Sequence, residues 1–210
     1  MVLTLASVEN SSDWQQRFLI LHDLLVITWA LNGFNWLFLG RAMDWLGIRP
    51  RTVIGLLGIL FSPLLHSNVS HLFGNSIGFV ALGWLLLLRG ETAFWSVSLI
   101  VLLASGFGVW LFGRGQGYAL TKETLYCVNI VHLGASGIIF GYLGFLLFGS
   151  FFDRHPLSLL LSLTVGGFYW HLLPGILPKQ VNTSWEAHLF GFLGGILAAR
   201  LLPTIEAMIL

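Results

Sequence analysis

The 210-residue chain is predicted to fold as an all-α polytopic membrane protein, with six transmembrane helices and a re-entrant loop between the first and the second. Three observations point to that class. The composition is 56% hydrophobic and only 9% charged, against roughly 25% charged for an ordinary soluble domain. Six mainly apolar stretches approach the length of about 20 residues that a helix needs to cross about 30 Å of hydrocarbon. Only short polar breaks divide them, without an internal repeat, a low-complexity tract or a long linker.

Residues 1–16 form a short polar N-terminal segment that lacks the basic region and compact apolar stretch of a secretory signal, since the first positive charge is Arg17. Residues 17–210 read as one membrane domain. Its first apolar segment, 18–39, carries His22, Asp23, Asn32 and Asn35, polar groups expected to be structural. Next comes Thr52 to Leu65, which is 14 residues long and is broken by Gly55, Gly58 and Pro63. That run is too short to span. It is expected to form a re-entrant or interfacial loop, tolerable at membrane depth only when packed on protein, with Arg41, Asp44, Arg49 and Arg51 at the water boundary.

The second and third segments, 69–88 and 92–112, are divided by Arg89-Gly90-Glu91. A polar stretch from Arg114 to Glu123 precedes the fourth, 133–152. Asp153-Arg154 separates it from the fifth, 157–177, and Lys179 lies before the sixth, 185–203. In lipid, backbone polar groups must be bonded within each segment, so all six are read as helices. Nine Trp and 17 Phe suit lipid contact and interfacial anchoring. A net charge of +1 without a basic cluster gives no electrostatic footprint for nucleic acid, which is not expected as a partner. The single cysteine, Cys127, rules out an intramolecular disulfide.

With six spans, the second, fourth and sixth segments begin on the same side of the membrane. Their starts carry His71 and Asn75, Ser136, and His188. At 1.5 Å per residue each lies within about 3 to 10 Å of the start of its helix, so the four can converge on one pocket. His71 and Asn75, four apart, sit about 40° apart around a helix and share a face. Ser136 falls in the amino-terminal turn of its helix, where unpaired N–H groups and the positive end of the dipole favour a developing negative charge. His188 is a candidate general base.

A hydroxyl nucleophile, an imidazole and oxyanion donors are the parts of an acyl-transfer site. An orienting carboxylate is missing, because Glu186 lies about 200° around the helix from His188. The reading is a Ser-His dyad. Gly134, Gly137, Gly141 and Gly144 on the fourth segment, and Gly191 and Gly195 on the sixth, allow the two backbones to approach closely. Ile138 breaks the Gly-x-Ser-x-Gly pattern of a soluble hydrolase elbow. Packing is the competing explanation for the glycines and for Asn75, while His66, Asn68, His132 and His171 read as structural or gating residues. A packing role does not account for four polar groups at one depth on one side.

Gly134-Ala135-Ser136-Gly137, Ala187-His188-x-x-Gly191-x-x-x-Gly195 and His66-x4-His71-x3-Asn75 together resemble the signature of rhomboid intramembrane serine proteases, in the family order. The resemblance covers the second to sixth segments and the loop before them. It implies a rhomboid-like six-helix core and a serine endopeptidase that cuts single-span transmembrane substrates in or near the bilayer, without cofactor or metal. By position, Ser136 would be the nucleophile and His188 the base. His71, Asn75 and the Ser136 backbone N–H would form the oxyanion hole. Phe140 would pack on the catalytic ring, where many members have a Tyr. The substrate gate would fall within Phe168 to Pro178, including Phe168, Trp170 and Pro174.

The usual Trp-Arg pair of the first loop has no clear counterpart here. The resemblance implies a bacterial plasma membrane with the active site toward the periplasmic or extracellular side. Charge points the other way. Arg41, Arg49, Arg51, Arg114, Lys122 and Lys179 flank the pocket side, against Arg17, Arg89, Arg154 and Arg200 opposite, which by the positive-inside rule favours the cytoplasm. The family expectation is preferred to this small imbalance. The alternative in the same family is a catalytically inactive rhomboid-like protein that binds membrane partners, against which intact Ser136 and His188 argue. A metal or haem protein using His66, His71 and His188 lacks His-Glu-x-x-His and acidic partners for the rings. A transporter would need repeated halves and a charged pathway.

Overall fold

A computed structural model describes residues 11–120, 125–153, 155–178 and 183–209. The readings made above on residues 1–10, Lys122, Glu123, Arg154 and Lys179 lie outside the described residues. Among the described residues seven α-helices follow in chain order: α1 Ser11–Leu37, α2 Val53–Phe61, α3 Val69–Leu87, α4 Glu91–Phe112, α5 Ser136–Phe152, α6 Pro156–Tyr169 and α7 Trp185–Ile209. Between α4 and α5 lie two antiparallel strands, β1 Gln116–Leu120 and β2 Leu125–Asn129, with Gln116 opposite Asn129 and Leu120 opposite Leu125. The sequence reading did not anticipate this strand pair, although Tyr126, Cys127 and Val128 include the aromatic and β-branched types that suit one.

Among the described residues five helices are long and apolar enough to cross a membrane: Asp13–Leu37, Val69–Leu87, Glu91–Phe112, Trp185–Met208, and Pro156–Ile176, in which α6 continues into the 3-10 turns Trp170–Ile176. Their outer faces leave Phe18, Ile27, Phe34, Ile77, Leu99, Phe107, Leu163 and Leu197 exposed, the pattern of a surface solvated by lipid. Two apolar helices are shorter, Val53–Leu64 and Ser136–Phe152. The fourth helix starts at Ser136, later than the apolar segment that begins at 133, because the preceding residues are extended. Ile48 and His132 exchange both backbone hydrogen bonds, at 3.0 and 2.9 Å, and the Gly134 N–H donates to the Ser62 carbonyl at 2.9 Å.

The segment after α1 is helical where the sequence suggested a loop, and it is clamped from both sides. Asn35, fully buried, donates from Nδ2 to Asp44 Oδ1 at 2.8 Å and accepts from the Met43 N–H at 2.9 Å. At α2, the Thr52 hydroxyl accepts from the Gly55 N–H at 3.1 Å as the cap. Gly55 and Gly58 lie directly against the backbone of Arg49 and Gly47, leaving no space for a Cβ. Arg51 donates from Nη1 to the carbonyls of Leu111 and Gly113 at 3.1 and 3.0 Å, and Trp110 Nε1 donates to the Thr52 carbonyl at 2.8 Å. The last carbonyls of a helix lack intrahelical partners and carry the negative end of its dipole. Arg51 therefore ties the start of α2 to the end of α4, and within the same loop the Arg49 guanidinium lies over the Trp45 ring at 5.4 Å from its centroid.

At the centre stands α5, packed most extensively against α7 and also against α4, α6 and α3. A Cβ on Gly191 would strike the Gly137 carbonyl, and one on Gly195 the Gly141 carbonyl. Gly141 is closed by Val101 of α4, and Gly144 by the Phe192 backbone. Tyr142 is buried with its hydroxyl 2.7 Å from that of Ser98. By contrast α6 buries only Ser158, Leu161 and Val165, and Ser162 donates to the Leu146 carbonyl at 2.7 Å.

Two histidines lock the extended stretches. His132 donates from Nε2 to the Arg114 carbonyl at 3.0 Å, and its Nδ1 lies 2.7 Å from the Ser184 hydroxyl. His66 lies with Nε2 2.9 Å from Asn75 Nδ2. Burial pushes the pKa of both below the ordinary histidine value, His66 to about 4, where the neighbouring His71 adds to the effect.

Replacing Gly195 with Leu should lower the unfolding midpoint in detergent by more than the roughly 1 to 3 kcal/mol typical of overpacking, since the obstacle is backbone. Gly167, exposed on α6 with no atom near its Cβ position, should tolerate Ala and gain up to about 1 kcal/mol of helix propensity. Tryptophan fluorescence during SDS titration would rank the two. A depressed histidine pKa means the unfolded chain binds protons that the folded one refuses. Stability is complete above about pH 6.5 and falls as pH drops toward about 4. His66 alone should cost on the order of 1 kcal/mol between pH 7 and 5.5, read as an acid-induced fall of the same midpoint.

Candidate active site

The residues before α3 fix its first turn. Asn68 caps the helix, its Oδ1 accepting from the His71 N–H at 2.8 Å. His71 Nδ1 lies 3.2 Å from the Ser67 hydroxyl, and its ring meets that of His66 edge-on at 5.2 Å between centroids. One turn along, Asn75 is buried except for 9% of its surface.

Both side chains face the backbone of Gly134. A Cβ on Gly134 would lie 2.7 and 2.8 Å from Cε1 and Nε2 of His71 and 3.1 Å from Nδ2 of Asn75. The residue also has φ +114°, a conformation that side-chain-bearing residues rarely adopt. Glycine is thus required twice, by space and by backbone. Two residues later Ser136 opens α5, whose N-cap, Ala135, provides no side-chain acceptor. The Ile138 N–H donates to the Ala135 carbonyl at 2.9 Å, which leaves the Ser136 and Gly137 N–H groups and the positive dipole end for an anion.

His188, in the first turn of α7, is held from two directions. Its ring stacks on Phe140 at 4.1 Å between centroids and 7° between planes. Its Nδ1 lies 2.9 Å from the Gly175 carbonyl. A carbonyl only accepts, so Nδ1 carries the hydrogen and Nε2 keeps the lone pair. The orienting group is therefore a neutral backbone dipole on the 3-10 segment after α6. Gly175 is itself packed 2.7 Å from the Phe140 ring at its Cβ position.

Glu186 makes its hydrogen bonds to Arg114 rather than to the imidazole. Its Oε1 accepts from Nε and the backbone N–H of Arg114 at 2.8 and 3.2 Å, while Arg114 Nη2 donates to the Thr183 carbonyl at 2.6 Å. This pair ties the start of α7 to the end of α4, and with His132 and Ser184 it sets the height at which His188 enters.

Ser136, His188, His71, Asn75 and Phe140 line one open cavity of about 730 Å³, with Leu172 and Ser184 on its wall. A void of about 20 Å³ adjoins it, bordered by Ser62, Ser105, His132, Ser136 and Ser184. That space suffices for one water with polar partners. A hydroxyl, an imidazole with a free Nε2 and donors around a helix start equip such a cavity for acyl transfer.

The structure brings the four polar residues of the three helix starts together, along with Phe140. Phe168, Trp170 and Pro174, the residues expected at a gate, are exposed on the outer surface, and it is Leu172 and the Gly175 carbonyl of that segment that reach the site. Sequence reasoning missed the Gly175 carbonyl, which as backbone leaves no residue-type signal. It also left His66 among the structural residues, although the spacing His66-x4-His71-x3-Asn75 had already joined it to the motif.

The Rhomboid domain description matches residues 54–204. An uncharacterized protein of Mycobacterium bovis is 37% identical over 170 residues, 80% of this chain and 68% of that protein. One of Mycobacterium leprae is 36% identical over 170 residues, 79% of this chain and 64% of that protein. A Bacillus subtilis protein provisionally named rhomboid protease YdcA is 29% identical over 197 residues, 89% of this chain and 92% of its own length. The domain match runs from α2 to the last turns of α7 and encloses the whole cavity, and on that ground the chain belongs to the rhomboid family.

Proposed function

We propose that the protein is an intramembrane serine endopeptidase that cleaves single-span transmembrane substrates through a Ser136-His188 dyad. The observation that carries this reading is the fixation of His188. With Nδ1 bonded to the Gly175 carbonyl and the ring stacked on Phe140, Nε2 is the basic atom at a cavity that Ser136 shares.

In the proposed reaction His188 Nε2 takes the Ser136 proton as Oγ attacks the scissile carbonyl. The oxyanion accepts from His71, from Asn75 Nδ2 and from the Ser136 N–H. His71 is then a neutral ring with hydrogen on Nε2, its Nδ1 accepting from the Ser67 hydroxyl. His188 returns the proton to the leaving amine, and water hydrolyses the acyl enzyme. The backbone carbonyl behind His188 orients the ring without a full charge to stabilise the imidazolium.

The 17-residue α5 covers about 26 Å, so Ser136 at its start lies beneath the membrane surface at the floor of the cavity. Counting α5, the chain crosses six times, while the segment from Val53 to Leu64 enters and leaves on the cavity side. The lightly packed α6 and its 3-10 extension form the substrate gate, and a substrate helix must unwind to present an extended bond. The relatives are bacterial, and the membrane is taken as a bacterial plasma membrane, with the cavity opening outward.

A fluorophosphonate probe in detergent should label wild type, fail on Ser136→Ala, and label His188→Ala at least about 100-fold more slowly. Equal labelling of Ser136→Ala would sink the reading. Asn75→Ala should keep roughly 10⁻² to 10⁻³ of wild-type cleavage of a single-span reporter. Orientation has its own test, because Cys127, the single cysteine, is exposed on the strand pair beside the site. A membrane-impermeant maleimide should label it in intact cells, and labelling only after lysis would place the cavity inside.

A further inference from the structure

We propose that His66 is a positioning residue that sets which end of the Asn75 amide faces the reaction, an inference that rests on the serine-protease reading above. An asparagine amide is nearly symmetrical in shape, and its two ends have opposite chemistry. With Nδ2 toward the oxyanion the residue donates. Turned over, it presents a carbonyl oxygen and repels the developing charge. Something must choose between the two.

His66 makes that choice. Its Nε2 lies 2.9 Å from Asn75 Nδ2, and the same Nδ2 is the atom that stands 3.1 Å from the Cβ position of Gly134 at the floor of the site. One N–H of the amide is taken by the imidazole lone pair, and the other is left for the oxyanion. This works only if His66 is neutral with its hydrogen on Nδ1. The ring is 1% exposed, and such burial disfavours the charged form. A flipped amide would then set Oδ1 against an Nε2 lone pair, which cannot donate.

The backbone that carries the ring is held in turn by Asn32 of α1. Asn32 is fully buried, and its Oδ1 accepts from the His66 N–H at 2.7 Å. Its Nδ2 donates to the carbonyls of Leu64 and Thr28 at 2.7 and 2.8 Å. A polar chain thus runs from the middle of α1 through the chain between α2 and α3 to the oxyanion donor. It explains two buried side chains, Asn32 and His66, that the dyad itself does not use. At an apolar depth Asn32 and His66 Nε2 would otherwise cost the free energy of isolated polar groups, while His66 Nδ1 stays buried without a hydrogen-bond partner among the described residues.

A double-mutant cycle tests the assignment on the full chain in detergent or liposomes with a single-span reporter. His66→Leu should lower kcat by about 100-fold with KM within about twofold, matching the loss of a single oxyanion donor. In the Asn75→Ala background the same substitution should change kcat by less than about threefold, because His66 then has nothing to orient. His66→Gln, whose Oε1 can accept from Asn75 Nδ2, should recover kcat to within about tenfold of wild type, and this arm remains informative if His66→Leu does not fold. Equal losses in both backgrounds, or no recovery with Gln over other residues of that size such as Met, would overturn the role. Cleavage by Ser136→Ala would instead overturn the protease reading. A Ser136-dependent enzyme with multiplicative losses defeats the His66 assignment alone.

Discussion

The backbone-to-backbone packing of α5 on α7 is the constraint on which the rest of this protein depends. Two helices meet closely only where side chains are absent, and here Gly137 and Gly141 face Gly191 and Gly195, each pair leaving no space for a Cβ. Within lipid no hydrophobic force drives helices together, so such close van der Waals contact and the polar groups it shields supply the association. Both helices begin on the same side of the bundle, with Ser136 and His188 in their first turns. Seating the glycine faces therefore sets the relative height of Ser136 and His188 before any side chain at the site is considered.

Everything around that pair corrects or holds its two ends. At the α7 end, Arg114, Glu186, His132 and Ser184 join the helix start to α4 and to the extended stretch before α5. At the α5 end, Ile48 and Ser62 hold that same stretch through main-chain bonds. The segment after α1, short and irregular, lies at a depth where unpaired backbone is expensive. Arg51, Asn35 and Asn32 meet that cost by bonding its carbonyls and amides, or those at the end of α4. The structural polar residues and the polar residues of the site thus form a continuous system rather than two populations.

Much of the site was legible because chemistry in an apolar segment stands out. Four polar side chains near three helix starts, together with small-residue faces on two of those helices, suffice to name the elements that must converge. The segments themselves followed from length and hydropathy, and α3 and α4 match their expected limits within a residue. Less was legible where the deciding group is backbone. Periodicity does not announce an extended stretch from 130 to 133 and a turn at 134–135 inside an apolar run, nor a glycine carbonyl in place of a carboxylate. The strand pair between α4 and α5 was hidden for a related reason, since its residues pair with each other and carry no pattern imposed by a core.

The sequence by itself determined that this is a helical membrane protein of the rhomboid family, which helices carry the polar groups, and that Glu186 cannot orient His188. The family follows from the resemblance of three short motifs, and the rest from helical geometry and the cost of polar groups in hydrocarbon, all of which act through local order along the chain. The tertiary structure alone decided what takes the place of the missing carboxylate, which nitrogen of His188 keeps its lone pair, and that His66 and Asn32 stand behind Asn75. Each of these turns on one hydrogen bond between atoms distant in sequence. Only the packing of α5, α7 and the segment after α1 brings those atoms within 3 Å.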